Sequence, residues 1–317
     1  MHLYVTSVAH IAWLRLLPME WTFPLEVRMS AIERWRRPIR RRQMAGLLEP
    51  FVPPGTSRQE LERQVALSRM IRRVGARTYA PVFRRSRDWL VHALQPEGLD
   101  YLEQTRRTGG AIVMGAHAGF ASWVAPVLHQ LGYPVRLTQR KRIVPEKLIL
   151  FRWQGLTSQV LPYPEAGESG GHLKALYDLV KAGTWVQHVG DYPDRKNGLR
   201  GTYLGFEVRC VRAPWILARM TERPVIPVLI LMDRSLSPKL IIREPISVAR
   251  FGDATDAMTA ALQSYLDFAA AHVSRMPWNL NLTHQANLVG RAGSGSRGTG
   301  SKSPPHHDRC CLTEGRM

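Results

Sequence analysis

The sequence is poor in cysteine, and its first residues lack the features of exported or membrane-spanning chains. Three cysteines occur in 317 residues, Cys210, Cys310 and Cys311, which are too few for a disulfide framework and are not spaced as a zinc site. We therefore expect a reducing, cytosolic compartment. In residues 1–24 the longest uncharged run falls short of the roughly 20 residues that a spanning helix needs. The same segment lacks a basic start and a cleavage site, so we expect no signal peptide.

Acidic residues are scarce. Asp and Glu total 25 against 44 Lys and Arg, so the formal net charge is +19. Such an excess predicts a polyanionic partner: nucleic acid, an anionic membrane surface or an acidic substrate. The chain has no helix-turn-helix, zinc-finger or RNA-recognition signature, which disfavours nucleic acid. The densest cationic run, residues 34–42, interleaves Trp35 and Ile39 with arginine, so it predicts either a bilayer-binding segment or a solvated helix face.

Three regions of the chain differ in composition. Residues 1–95 are helical in pattern and arginine-rich, with 17 arginines and no lysine in the first 100 residues. Their apolar start, 1–24, suits either a helix lying in a membrane interface or a helix packed on its own domain. Residues 96–285 alternate between strand and helix patterns. Residues 286–317 are rich in Gly, Ser and basic side chains, and we expect them to be a disordered tail.

The alternation in the middle region predicts the fold class. Short apolar runs such as AIVMGA at 111–116 and VIPVLILM at 225–232 are typical of buried strands, and helical patterns separate them. We therefore expect an α/β domain with a central, mostly parallel sheet flanked by helices. Further strands are predicted at 135–137, 160–161, 184–189 and 240–243, helices at 98–105, 120–131, 145–156, 172–181, 213–221 and 255–272, and a loop at 190–205.

The first chemically informative stretch is GAHAGFASW at residues 115–123. A buried strand ends there, His117 and Gly119 follow, and a helix begins. Functional groups collect at such points of α/β sheets, where helix N-termini offer unpaired N–H groups. His117 can act there as a general base, while nearby backbone N–H groups meet a developing oxyanion. A structural histidine with satisfied hydrogen bonds is the other interpretation of this pattern.

The second stretch, residues 183–208, again places polar side chains after a predicted strand. Asp191 follows the strand, and Asp194, Arg195 and Lys196 precede a glycine-rich turn. Cations beside glycines can hold a phosphate-bearing ligand, because glycine lets backbone N–H groups approach closely. A solvated, charged loop is the alternative.

Together these stretches resemble the lipid A late-acyltransferase (lauroyl/myristoyl acyltransferase) family, part of the wider lysophospholipid acyltransferase group. The resemblance is carried by the glycine-histidine block at 115–123, Asp191-Tyr192 within 185–206, APWILARMTERPVIPV at 213–228 and the closing Met276-Pro277-Trp278. It implies a glycerolipid-acyltransferase-like α/β fold. The implied reaction is transfer of a fatty acyl group from an acyl thioester, on acyl carrier protein or coenzyme A, to a hydroxyl of a lipid or glycolipid acceptor.

One position departs from the family pattern. The family's motif is a histidine followed after four residues by Asp or Glu, whereas Ser122 stands there after His117. A carboxylate would hold the imidazole in one tautomer and stabilise its protonated form, but a serine brings no charge. Three interpretations stay open. In the first, another carboxylate is the partner of His117, with Asp191 the first candidate and Glu165 or Glu168 weaker ones. In the second, Ser122 is its only partner. In the third, the chain no longer catalyses acyl transfer.

The resemblance implies roles for the residues that match its motifs. His117 would be the general base, with Asp191 and Ser122 as the other catalytic candidates. No metal is expected, and no cofactor beyond the thioester co-substrate. The implied substrate-binding residues are Gly119, Phe120, Arg195, Lys196 and Arg140, the first two as backbone oxyanion donors.

The implied setting is the cytoplasmic face of the bacterial inner membrane, with peripheral attachment through the cationic surface. The expected partners are the anionic membrane surface, acyl carrier protein or a coenzyme A thioester, and an amphiphilic acceptor lipid. The alternative, prompted by Ser122, is a catalytically impaired acyltransferase-like protein that binds lipid or acyl carrier protein. A carboxylate within hydrogen-bond reach of His117 would favour catalysis.

Overall fold

A computed structural model describes eight segments of the chain. They are residues 44–77, 86–140, 160–163, 169–194, 196–235, 237–252, 255–282 and 284. Several sequence predictions lie outside these residues: the segment 1–24, the arginine run 34–42, the helix at 145–156, Glu165 and Glu168, and the tail 286–317.

The centre of the molecule is a six-stranded sheet with the order β3-β2-β4-β1-β7-β8. Neighbouring strands from β3 to β7 pair in parallel, and β8 adds an antiparallel edge. This confirms the predicted α/β class with a mostly parallel sheet. The strands are β1 (Ala111–Gly115), β2 (Val135–Arg140), β3 (Val160–Tyr163), β4 (Trp185–Val189), β7 (Val225–Met232) and β8 (Pro238–Ile242).

Helices cover both faces of the sheet, which is why β1 and β7 are buried along their whole length. Side chains of β1 alternate between two hydrophobic clusters: Ile112 and Met114 join one, and Val113 joins the other. Helices α5, α6 and α7 pack into the first cluster, and α2, α3 and α4 into the second. The helices are α1 (Arg58–Arg77), α2 (Arg87–Leu94), α3 (Leu99–Thr108), α4 (Val124–Gln130), α5 (Ser169–Lys181), α6 (Ala213–Thr221) and α7 (Thr255–Val273).

The predicted loop at 190–205 is wrong in its second half. Strand β5 (Leu199–Tyr203) pairs antiparallel with β6 (Phe206–Cys210), and the hairpin packs on α7. The two turn residues, Leu204 and Gly205, both have positive φ, the conformation that a two-residue hairpin requires. A leucine seldom adopts this conformation, so of the two turn residues only Gly205 is typical of such a turn.

Helix α1 belongs to the same packed body as the sheet. The Ser68 hydroxyl donates to the Leu280 carbonyl at 2.7 Å, and the Trp123 indole N–H donates to the Gly75 carbonyl at 2.9 Å. Side chains of α1 enter both hydrophobic clusters. Among the described residues, no helix has the length and hydropathy needed to cross a membrane.

Gly119 lets the turn after β1 lie against β7. Its φ is +52°, its N–H donates to the Asn279 carbonyl at 2.7 Å, and the next N–H, of Phe120, donates to the Ile230 carbonyl at 2.8 Å. A Cβ at this position would collide with the Ile230 carbonyl oxygen. The glycine that follows His117 is therefore required by backbone packing.

Gly119→Ala is expected to lower the free energy of unfolding by at least about 2 kcal/mol, because it adds a backbone clash to an unfavourable φ. Gly132→Ala is the matched control, with a φ of +93° but open space around its Cβ position. It should lose only about 1 kcal/mol, the cost of the strained φ alone. Urea unfolding followed by circular dichroism measures both losses. Equal losses would contradict the close approach of Gly119 to β7.

Candidate active site

Two polar residues meet at the edge of the sheet where the parallel strands end. His117 lies two residues beyond the end of β1, and Asp191 lies two residues beyond the end of β4. Strands β1 and β4 are neighbours, and their last residues, Gly115 and Val189, pair in register. The equal offset therefore brings the two side chains together. This is the position at which α/β sheets commonly bind ligands.

Asp191 holds His117 through both its side chain and its backbone. His117 Nδ1 lies 2.8 Å from Asp191 Oδ1, and the His117 backbone N–H donates to Oδ1 at 2.9 Å and Oδ2 at 3.0 Å. The Asp191 side chain is 1% exposed and that of His117 is 24% exposed. Because an ionised carboxylate only accepts hydrogen bonds, Nδ1 must carry the proton. The lone pair of neutral His117 is then on Nε2, as a general base requires.

Burial and charge oppose each other in this pair. Burial alone lowers the pKa of His117, but the charge of Asp191 and the hydrogen bond to it outweigh burial, so this pKa lies above its usual 6.5. Burial likewise raises the pKa of Asp191, yet the charge and hydrogen bonds of His117 and the charge of His284 hold that pKa below its usual value. The pair therefore keeps Asp191 ionised and lets His117 hold a proton to a higher pH than an isolated histidine.

The backbone around the pair is held by further long-range hydrogen bonds. The Gly115 carbonyl accepts the Tyr265 hydroxyl at 2.7 Å and the Gly190 N–H at 2.8 Å. The His117 carbonyl accepts the Asn281 N–H at 3.1 Å. The ends of β1 and β4, helix α7 and the segment after it are thereby tied to one another. A site built on such fixed elements holds its side chains in one arrangement.

The structure adds a third residue, His284, that the sequence analysis missed. Its ring stacks on that of His117, with centroids 3.8 Å apart and planes inclined by 21°. His284 Nε2 lies 3.0 Å from the Asp191 carbonyl oxygen and 3.7 Å from Asp191 Oδ2. His284 lies only six residues after Trp278 of the closing motif, and that closeness was the one available signal.

Each of the three residues offers an atom that can bind a metal ion, and these atoms lie within 4.8 Å of one another. Their geometry is better explained by hydrogen bonds. The 2.8 Å contact between His117 and Asp191 requires a proton between nitrogen and oxygen, and His284 Nε2 must donate to a carbonyl. Each imidazole lone pair lies in the plane of its own ring. Because the two ring planes are stacked, both lone pairs cannot point at one ion. We therefore treat the three residues as a hydrogen-bonded array.

The predicted oxyanion donors are contradicted by the structure. The N–H of Gly119 donates to Asn279 and that of Phe120 to Ile230, so neither points to a vacant oxyanion position. The helix predicted at 120–131 begins instead with a 3₁₀ turn, Ala121–Trp123, and its α-helical part α4 starts at Val124.

Ser122 is not the partner of His117 in this structure. It lies exposed in the 3₁₀ turn, and within the described part of the chain it makes no hydrogen bond to His117. The imidazole nitrogen that Ser122 would accept from is already bonded to Asp191. Of the three interpretations left open by the sequence, the geometry favours the displaced carboxylate.

The predicted cationic substrate-binding residues are not brought to the pair by any described contact. Lys196 is exposed, and its backbone N–H donates to Asp194 Oδ1, so Asp194 stabilises a turn. Arg195 and the side chain of Arg140 lie outside the described residues; the Arg140 backbone belongs to β2. Their roles remain predictions.

A cleft of about 740 Å³ lies next to the carboxyl end of β7, the strand that pairs with β1, and neither His117 nor Asp191 lines it. Trp278 lines it, while Asn279 and Asn281 of the same segment bond to the Gly119 N–H and the His117 carbonyl. The charged residues of the cleft are Glu60, Arg63, Asp233, Arg234 and Arg275. Apolar residues line the cleft as well, among them Leu67 and Trp278.

Two other candidate groups take no part in the site. His188 is buried in β4, where burial lowers its pKa to about 4, as expected of a core histidine. Cys210 is buried, and burial raises the pKa of its thiol, which disfavours a nucleophilic thiolate.

Comparison with known proteins yields no match to any family model and none to a curated protein. The resemblance to late acyltransferases therefore rests on the order of the motifs in the sequence alone.

The mutual stabilisation of His117 and Asp191 predicts a pH-dependent stability. The His117 contribution is complete below pH 6.5 and is lost as the pH rises through the raised pKa; that of Asp191 is lost only as the pH falls through its lowered pKa. The difference in unfolding free energy between wild type and Asp191→Asn should therefore shrink between pH 6 and pH 9. The decline is about 1.4 kcal/mol for each pH unit that separates the folded and unfolded His117 pKa values.

Urea denaturation at several pH values measures this difference. Asp178→Asn is the control, because Asp178 is exposed and pairs with Lys174 on the surface of α5. Its effect should stay below about 0.5 kcal/mol across the range. A wild-type advantage over Asp191→Asn that does not change with pH would contradict the pairing.

Proposed function

We propose that the protein transfers an acyl group from an acyl thioester to a hydroxyl of a lipid or glycolipid acceptor, with His117 as the general base. The observation that carries the proposal is the 2.8 Å contact between His117 Nδ1 and the buried carboxylate of Asp191. It supplies what the sequence motif lacks at Ser122. The carboxylate comes from the loop after β4 instead of the helix after β1.

The base acts in this proposal on a hydroxyl of the substrate. Within the described residues, no Ser, Thr or Cys side chain is hydrogen-bonded to His117 that could serve as the protein's own nucleophile. His117 Nε2 takes the proton of the acceptor hydroxyl as that oxygen attacks the thioester carbonyl carbon. The new C–O bond forms, the C–S bond breaks, and the proton on Nε2 passes to the leaving thiolate. No covalent acyl-enzyme is formed.

Asp191 has two roles in this mechanism. It fixes the tautomer that leaves the lone pair on Nε2, and its charge stabilises the imidazolium that exists between the two proton transfers. Since the charge of Asp191 raises the pKa of His117, the base is stronger than an isolated histidine. A positioned base of this kind contributes about 10²–10⁴-fold to a rate.

The charge of the chain supports anionic partners. With a net charge of +19, the protein attracts phosphate-bearing lipids, coenzyme A and acyl carrier protein, all of which are anionic. We propose peripheral attachment to the cytoplasmic face of the inner membrane. Near such a surface, each Lys or Arg contributes about 1 kcal/mol to binding.

The cleft is the proposed place for the anionic part of a co-substrate. Arg234 and Arg275 line it, and neither has a carboxylate partner among the described residues, whereas Arg63 is paired with Glu60. Two unpaired arginines match the charge of a phosphate. Trp278 lines this cleft, and Asn281, three residues later, donates its N–H to the His117 carbonyl.

Ser122 favours a second candidate function, a non-catalytic acyltransferase-like protein that binds lipid or acyl carrier protein. It differs from the first in a simple way: binding would survive changes at His117 and Asp191, and no acylated product would form.

The proposal is tested by incubating radiolabelled acyl-coenzyme A, or acyl carrier protein, with a total lipid extract and the protein. Wild type should form labelled lipid, and His117→Ala should lose at least about 100-fold in rate because the base is gone. Asp191→Asn should also lose product, because the tautomer and the charge are no longer set. Thin-layer chromatography of the lipids measures the product.

Two further variants complete this assay. Ser122→Ala decides which residue assists His117, and loss of product in that variant alone would reject Asp191 as the partner. Asp178→Asn reports any nonspecific effect of losing a carboxylate. No product from either donor with folded wild-type protein would reject acyl transfer in favour of the non-catalytic function.

Replacing Arg234 and Arg275 together by Gln should raise the KM for the phosphate-bearing donor about tenfold, equal to losing about 1.4 kcal/mol of binding. The kcat should change little, because neither side chain contacts the His117–Asp191 pair in the structure. Arg219→Gln is the control, since Arg219 is exposed at the end of α6. Initial rates over a range of donor concentrations give both constants. A KM equal to that of Arg219→Gln would exclude the cleft from donor binding.

A further inference from the structure

Besides Asp191, two further aromatic side chains lie close to the imidazole of His117. Asp191 bonds to the Nδ1 edge of the ring, and the ring of His284 covers one face at a centroid distance of 3.8 Å. The Tyr192 ring lies 6.0 Å from the same imidazole at an angle of 41°. The side chain of His284 is itself only 10% exposed. Rotation of His117 about its Cβ–Cγ bond would therefore push its ring into that of His284.

His284 is oriented independently of His117. Its Nε2–H donates to the backbone carbonyl of Asp191 at 3.0 Å, and its backbone N–H donates to the Asn281 carbonyl at 2.8 Å. The same short segment donates the Asn281 N–H to the His117 carbonyl. Asp191 is thus bonded at its carboxylate by one imidazole and at its carbonyl by the other, and the two imidazoles are stacked. None of the three can move without breaking a contact to another.

We infer that His284 is a positioning residue of the site: its ring holds the His117 imidazole in the plane that bonds to Asp191, and it stays neutral while His117 gains and loses the proton. This inference rests on the proposed acyl transfer for its catalytic consequence. The arrangement itself is a property of the folded protein alone. A base held in one orientation starts the reaction in a reactive geometry, and displacement by about 1 Å can cost 100-fold in rate.

The charges around the array are consistent with a single positive charge, carried by His117 and not by His284. Burial lowers the pKa of His284, despite the nearby charge of Asp191, while the pKa of His117 is raised. Two stacked imidazolium rings would repel each other in a site with one carboxylate. Tyr203, Tyr265 and Cys210 also lie near Asp191, and burial raises the pKa of each, so these three groups stay neutral.

Three substitutions separate the ring of His284 from its hydrogen bond. His284→Phe keeps an aromatic ring on His117 and removes the N–H donor. His284→Gln keeps an N–H donor for the Asp191 carbonyl and removes the ring. His284→Ala removes both. His129→Ala is the matched control, because His129 is a partly exposed histidine in the last turn of α4.

The first measurement needs no substrate. In protein labelled with ¹⁵N-histidine, we expect the His117 Nδ1–H resonance in the wild type to exchange slowly with water. The exchange should be at least tenfold faster in His284→Ala and His284→Gln, and close to wild type in His284→Phe and His129→Ala. The ¹⁵N shifts should show His284 as the Nε2–H tautomer, neutral at a pH at which His117 is already protonated. A doubly protonated pair, or unchanged exchange in His284→Ala, would overturn the inference.

The second measurement is the acyl-transfer rate of the same variants. His284→Ala should lower kcat ten- to a hundredfold and change KM less than about threefold, because orientation is lost and binding is not. A residue that only stabilises the fold would lower the amount of active protein and leave the exchange of the Nδ1–H unchanged. If the wild type transfers no acyl group but the exchange data are as expected, the proposed function fails while the positioning by His284 stands. If the wild type is active and His284→Ala matches it in both measurements, the positioning fails while the function stands.

Discussion

The arrangement of this site depends on the burial of one carboxylate. Asp191 is almost completely buried. A buried charge without partners costs several kcal/mol. That cost is offset because His117 donates both its ring N–H and its backbone N–H to the carboxylate oxygens. The Asp191 carbonyl accepts a third donor, from His284. The loops after β1 and β4 are consequently held together by the same group that would serve the chemistry.

The carboxylate that bonds to His117 comes from the loop after β4 and not from the segment that follows His117. In the motif that the sequence resembles, the acid and the histidine lie on one short segment, but here Ser122 occupies the position of the acid. The register of β1 with β4 brings a carboxylate from a different loop to the same ring nitrogen. The sheet thus restores a charged partner that the local sequence lacks. For a general base, the presence and position of this charge matter more than the segment that carries it.

Much of the fold followed from local patterns, and the errors have identifiable causes. Apolar runs placed all six strands of the central sheet within three residues of their observed ends. The signal was clearest for β1 and β7, because a strand covered by helices on both faces must be apolar throughout. The β5–β6 hairpin was missed because its turn places Leu204 at positive φ. The oxyanion donors were wrong because the N–H groups of Gly119 and Phe120 were expected to be unpaired at the N-terminus of a helix beginning at residue 120. The structure has a tight turn there instead, and its N–H groups bond to β7 and to Asn279.

The sequence by itself determined the sheet, the position of His117 at a strand end, and Asp191 as the first candidate partner. Both residues follow the ends of predicted strands, and the carboxyl ends of parallel strands share one edge. Only the tertiary structure decided that Asp191 and not Ser122 bonds to the imidazole, that Gly119 and Phe120 have no N–H to offer, and that His284 stacks on the base. These outcomes depend on hydrogen bonds and contacts between residues far apart in the chain. Local patterns of polarity carry no record of such partners, because they report which face of an element is buried and not what lies against it.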